Sequence, residues 1–108
     1  MLAKKNRADT KIVEQVFKTG KFINSQFLTF KYKLNSTPSI PRISFVAPKS
    51  ITKLAVNRNK LRRLGYQALK KHVDVFPLGI EGVFVFKKPL DSIEDIENEI
   101  KNILSKIH

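Results

Sequence analysis

The stretch Lys53-Leu54-Ala55-Val56-Asn57-Arg58-Asn59-Lys60-Leu61-Arg62-Arg63-Leu64-Gly65-Tyr66-Gln67-Ala68-Leu69-Lys70 decides how this chain folds. At 100° per residue, Arg58, Arg62, Tyr66, Asn59, Lys70 and Arg63 fall within one arc of about 140°, and Leu64, Ala68, Leu61, Leu54 and Gly65 fall on the far side. The apolar side can dock on a sheet while the cationic side faces outward. Glycine costs about 1 kcal/mol against alanine in a helix interior. Gly65, at the border of the apolar side, therefore predicts close approach between helix and sheet. The helix is expected to start somewhere in 52–56 and to run to about His72.

Upstream, Arg42 to Ala47 reads as a strand, ended by Pro48, which has no N–H for a ladder. Before it, Phe22 to Leu34 reads as extended. From Phe27 the pattern alternates, with Phe27, Thr29, Lys31 and Lys33 on one face and Leu28, Phe30, Tyr32 and Leu34 on the other. Asn35-Ser36-Thr37-Pro38-Ser39 is a turn cluster. Further back, Ile12, Val13, Val16 and Phe17 form an amphipathic helical stripe between a cap at Asp9-Thr10 and a stop at Gly20. Residues 1–8 read as a flexible basic arm.

Downstream, 74–82 reads as loop and Val83-Phe84-Val85-Phe86 as a short buried strand, broken by Pro89. A last helix follows, capped by Asp91 or Ser92, with Ile93, Ile96, Ile100, Ile103, Leu104 and Ile107 along one face. Glu94, Asp95, Glu97 and Glu99 are expected to be solvated there and to complement the positive end of the helix dipole. The order of elements predicts an α+β sandwich with helices on a mainly antiparallel sheet, in a single domain of 108 residues.

Composition narrows the function. Hydrophobic residues are 42% of the chain, with eight Phe and two Tyr, enough for a modest core and unlike a disordered chain. There is no Cys, which excludes disulfides and thiolate metal sites and fits a reducing, cytoplasmic setting. No apolar run is long enough to span a membrane, and the N-terminus lacks the apolar stretch of a secretory signal. The net charge is +12. It is lopsided: residues 1–71 hold 17 Lys+Arg against Asp9 and Glu14, a net of +15, whereas residues 72–108 carry a net of −3. Such a chain must tolerate self-repulsion or meet a polyanion, of which nucleic acid is the first candidate and an anionic membrane surface the second. On the helix, Arg58, Arg62 and Arg63 have no acid at i±3 or i±4, and Lys70 has Asp74 at i+4 only, beyond the expected end of the helix. Like charges so spaced destabilise a helix, so a phosphate-binding face explains them better than a merely solvated one. Arginine forks and the Asn59 amide suit that role.

The segment from Lys53 to Leu64 resembles the signature of the bacterial ribonuclease P protein component. Arg58-Asn59 and Arg62-Arg63 match it, and Lys60 stands where arginine is usual. Lys49 aligns with a family lysine, and a basic residue is common where Tyr66 sits. Val16-Phe17-Lys18-Thr19-Gly20 and Gln26-Phe27 resemble the family's first helix and strand, and Arg7 its early arginine. The resemblance implies an α-β-β-β-α-β-α sandwich of the ribosomal protein S5 domain 2-like kind, with a mostly antiparallel four-stranded sheet and a left-handed β-α-β crossover.

It also implies a function. The holoenzyme removes the 5′ leader of precursor tRNA by phosphodiester hydrolysis. The RNA subunit holds catalytic Mg2+, and the protein is a non-catalytic partner with no cofactor on its own side chains, monomeric in a 1:1 ribonucleoprotein. By resemblance, the helix bearing Arg58, Asn59, Lys60, Arg62 and Arg63 would contact the catalytic RNA, and Lys49, Lys53, Tyr66 and Lys70 are candidate RNA contacts beside them. A cleft between the first helix and the sheet would hold the leader, with Val13, Phe17 and Phe30 lining it. From their proximity in sequence to these residues, Lys11, Lys18 and Lys31 are expected to flank the leader phosphates. Val13 stands where an aromatic is common, and Phe17 and Phe30 read equally well as core residues. Stacking without sequence preference suits a leader of variable sequence.

Other readings are a structural RNA-binding protein of the ribosome and a DNA-binding module. The second lacks the short helix expected before a recognition helix. A protein-borne nuclease site built on His72 and His108 is disfavoured by their separation in sequence, and two carboxylates in the basic half are too few for a two-metal centre.

Overall fold

A computed structural model describes residues 4–107. Asp9 caps the first helix, α1 (Thr10–Thr19), by accepting the Ile12 N–H at 2.9 Å. The chain then forms β1 (Lys21–Asn24), β2 (Leu28–Leu34), β3 (Arg42–Val46), α2 (Ala55–Lys70), β4 (Ile80–Phe86) and α3 (Ile93–Leu104). Ser92, rather than Asp91, caps α3 through the Asp95 N–H. The sheet order is β1-β2-β4-β3. β2 is antiparallel to both β1 and β4, and β3 is parallel to β4. A parallel neighbour requires a crossover, and α2 supplies it.

The alternation in β2 divides the molecule. Leu28 and Phe30 point to one face, where they join Ile43, Phe45, Phe84 and Phe86 under α2 and α3. Phe30, Phe84 and Phe45 stack across three strands with ring centroids 4.3 and 5.0 Å apart. The other face carries Val83 beneath Ile12 and Val16 of α1, with Val13, Val46 and Val85 around them.

Two glycines fit the sheet to its partners. A Cβ at Gly65 would lie 2.6 Å from the Phe45 ring, the close helix–sheet approach expected from sequence. A Cβ at Gly82 would collide with the ring of Phe30. Gly82 therefore belongs to β4, which starts at Ile80 and not at Val83. Glu81, also read as loop, is held at 3.6 Å from Lys33 on the facing strand.

Residues 4–8 are not a flexible arm. Lys4–Asn6 form a 3-10 turn. Asn6 Nδ2 donates to Pro41 O at 3.0 Å and Ser44 Oγ donates to Ala8 O at 2.7 Å, fastening the segment beside β3. Residues 1–3 of the expected arm, and His108, lie outside the described residues. The acids of α3 also differ from expectation, since only some are solvated. Glu97 sits 3.5 Å from Lys71, and Glu99 is hydrogen-bonded to the β1–β2 turn. No described helix is long and apolar enough to cross a membrane.

Candidate nucleic-acid interface

Helix α2 buries Leu61, Gly65, Tyr66, Ala68 and Leu69. Its cations all lie outside that stripe, but they occupy two flanks. Arg58, Asn59 and Arg62 face the N-terminal segment and α1, across a groove of about 490 Å³ floored by Val46 and Ala47. Lys60 lies on the opposite flank, beside Leu64 and Leu90. Arg63 and Lys70 are exposed, as are Lys49 and Lys53 in the segment leading into the helix. Among the described residues the ion pairs are Lys33–Glu81 and Lys71–Glu97, so the cations of the α2 ridge have no carboxylate neutralising them. Arg58 is half-buried because its Nη1 donates to Thr52 O at 3.2 Å and Lys53 O at 2.7 Å, bracing the loop before the helix.

Tyr66 does not lie on this outer surface. It is 6% exposed, its ring meets Phe45 edge-on, and its hydroxyl accepts the Phe45 N–H at 3.3 Å. The helical wheel placed it among the cations. The N-terminal segment, invisible to a wheel, covers that flank and turns it into interior.

Phe30 is also misplaced by the sequence reading. It is fully buried in the α2–α3 core, on the face of the sheet away from α1. In a strand, a shift of one residue exchanges faces, and Lys31 is the residue that faces α1. The Lys31 ammonium lies 4.8 Å from the centroid of the Phe17 ring. Phe17 is 43% exposed, so this ring is a surface feature rather than core. Val13, one turn earlier on α1, is half-buried and lines the arginine groove. Lys11 and Lys18 are exposed on α1.

Sequence reasoning missed two residues here. Phe22 on β1 stands opposite Lys31 in the antiparallel register and is 65% exposed. Directly paired residues share a face, so Phe17, Lys31 and Phe22 form one row of ring, cation and ring. Alternation counted back across the turn at Ser25 would not have found it, because that turn resets the phase. The second is Arg7, whose guanidinium carbon lies 4.4 Å from the centroid of the Tyr66 ring and which lines the same groove as Arg58 and Arg62.

Several carboxylates are engaged in the fold. Asp9 caps α1, Glu81 and Glu97 pair with lysines, and Glu99 holds the β1–β2 turn. No group of three or more His, Asp or Glu able to hold a metal ion occurs among the described residues. The arrangement is suited to binding an extended polyanion with unpaired bases, through guanidinium forks, ammonium groups and two exposed rings.

Fold and groove together define a small basic α+β protein whose crossover helix carries its unpaired cations. The chain belongs to the ribonuclease P protein family: the family model described as Ribonuclease P matches residues 4–108. The ribonuclease P protein component of a Pseudanabaena species is 29% identical over 96 residues, covering 85% of this chain and 81% of the relative. Among solved structures, the RNase P protein from Thermotoga maritima matches with a TM-score of 0.79 at 21% identity, covering 94% of this chain and 97% of its own. That of Staphylococcus aureus matches at 0.75 and 17% identity, covering 96% and 95%. At these identities the structural likeness speaks for the fold, and the family match carries the membership.

Proposed function

We propose that this chain acts as the protein subunit of a ribonuclease P, gripping the catalytic RNA with α2 and the 5′ leader of precursor tRNA with the α1 side of the sheet. The observation that carries the reading is the groove. It sets Arg58, Asn59 and Arg62 of α2 against Val13 of α1, one helical turn from the exposed Phe17 ring. A catalytic RNA held by the arginines thus lies next to the Phe17–Lys31–Phe22 row, where the leader is placed. Stacking on those rings is tolerant of sequence, as a leader requires, and Lys31 offers a cation between the two rings.

In this reading the protein contributes binding and orientation. The reading routes no step through a protein-held metal. Hydrolysis of the phosphodiester belongs to the RNA subunit. The protein neutralises backbone charge where the two RNAs approach each other and fixes the leader so that the scissile bond is presented in one geometry.

Reconstitution tests it. Added to a bacterial catalytic RNA at low Mg2+, the chain is expected to raise the rate of leader removal and to bind precursor tRNA more tightly than mature tRNA in the complex. Absence of any gain over RNA alone, with co-sedimentation on ribosomal subunits instead, overturns it.

A further inference from the structure

Arg7 lines the groove from the N-terminal segment rather than from α2, and its surroundings are odd for a structural residue. The chain on both sides of it is pinned: Asn6 bonds Pro41 O, Arg7 N–H donates to Lys4 O at 3.1 Å, and Ala8 is bonded through both its N–H and its carbonyl to β3. Tyr66 supplies a ring face 4.4 Å from the guanidinium carbon, and that ring is itself fixed by Phe45. Yet Arg7 forms no ion pair among the described residues, and its Nε is buried without a hydrogen-bond partner. Buried polar atoms are nearly always satisfied, so a guanidinium whose Nε finds no acceptor within the fold is not there to bond the protein, and its place on the groove wall turns it toward a ligand. The carboxylate that lines the groove, that of Asp9, is already accepting the Ile12 N–H.

We propose that Arg7 is an RNA-contacting residue, positioned by Tyr66, and that it completes with Arg58 and Arg62 a groove for the phosphodiester backbone of structured RNA. Stacking uses the face of a guanidinium and leaves its donors free, because all five lie in the plane of the group. A stacked arginine can therefore be rigid and still present a fork to phosphate. Tyr66 is accordingly a positioning residue: it lies inside the helix packing, and in place of a cation of its own it holds one brought by the N-terminal segment. A groove of about 490 Å³ has room for a backbone segment and not merely for a single ion. This inference rests on the RNA-binding reading of α2.

The test is the salt dependence of binding to the catalytic RNA, with Arg7→Gln and Arg7→Lys compared with Arg62→Gln. Removing one cation from a phosphate lowers the slope of log K against log salt by about 0.7–0.9, which corresponds to about a four- to five-fold weakening at 0.15 M salt on the counterion term alone. Arg7→Gln and Arg62→Gln are each expected to lower the slope by that amount, and Arg7→Lys to restore it. A purely structural staple would change stability and leave the slope alone. A reduced slope for Arg62→Gln with a wild-type slope for Arg7→Gln therefore overturns this inference only. Wild-type slopes for both overturn the groove as an RNA site altogether. Modification of the wild-type protein by an arginine-directed dicarbonyl, read by mass spectrometry, gives a second measurement that needs no variant. Bound RNA is expected to protect Arg7 together with Arg62. Unchanged modification of Arg7, or an Arg7 unreactive in the free protein, counts against the proposal.

Discussion

Glu99 on α3 accepts the backbone N–H of Phe27 at 2.6 Å, and the same oxygen accepts the Ser25 hydroxyl at 2.6 Å. One carboxylate thus joins the last helix to the turn between β1 and β2. Lys106 adds to the tie by donating to Asn24 O at 3.0 Å. The turn matters because β1 carries Phe22 and β2 carries Lys31, opposite each other on the open face of the sheet. The acidic C-terminal helix therefore shapes the basic half of the molecule and, among the described residues, pairs Lys71 alone of that half's cations.

Removing that tie should cost stability. A hydrogen bond to a charged group contributes about 1.5–3 kcal/mol, and Glu99→Ala leaves the Phe27 amide and the Ser25 hydroxyl to find water. Urea unfolding is expected to show a loss of about 1–3 kcal/mol for Glu99→Ala and a smaller one for Glu99→Gln, which keeps an acceptor. An alanine variant as stable as the parent would mean that the turn holds without α3.

The two phenylalanines assigned from sequence to the leader cleft should now behave oppositely. Phe17→Ala removes a ring that is 43% exposed. It should leave stability nearly unchanged and weaken precursor tRNA binding by about 1–3 kcal/mol, the worth of one stacked base, with little effect on mature tRNA. Phe30→Ala opens the centre of a packed core and should cost about 3–5 kcal/mol of folding stability. Binding of the two tRNAs in parallel with thermal unfolding separates them. Equal losses for precursor and mature tRNA in Phe17→Ala would remove the leader from this face.

Glycine packing gives a third outcome. Gly65→Ala forces a methyl group to within 2.6 Å of the Phe45 ring. Overpacking of this kind costs about 1–3 kcal/mol, more than the benefit of about 1 kcal/mol that alanine brings to a helix interior. The variant should unfold at lower urea than the parent, and a stabilised Gly65→Ala would show that α2 can move off the sheet freely.

These cases show which parts of the molecule were legible in its sequence. The helical stripes of α1 and α3, the alternation of β2 and the Gly65 packing could be read because each depends on a local period or a single steric demand. The extent of β4 could not, since Glu81 and Gly82 are poor strand formers and are justified only by Lys33 and Phe30 on the facing strand. Phe30 was given to the cleft by the family resemblance, whereas the alternation of β2 had already set it on the face opposite Lys31, and a one-residue offset in a strand exchanges faces. Tyr66 and Arg7 escaped for the same reason as each other. A helical wheel gives directions around α2 but not what covers each direction, and the segment that covers the Tyr66 flank is too short to carry a period of its own.

The α2 arginines give the last test. Arg62 lines the groove and Arg63 stands exposed outside it, so the two sample different sides of the same ridge. Neither has an ion-pair partner among the described residues, so replacing either by alanine orphans no carboxylate, and stability should change by about 0.5 kcal/mol or less. Their contribution to RNA binding should be electrostatic and, because the side chains diverge, additive. Each single alanine variant should lower the salt slope by about 0.7–0.9, and the pair together by about twice that. Measured by titrating the catalytic RNA at several salt concentrations, an unchanged slope in the double variant would place both residues off the interface and leave the +15 excess of the first 71 residues without its proposed partner.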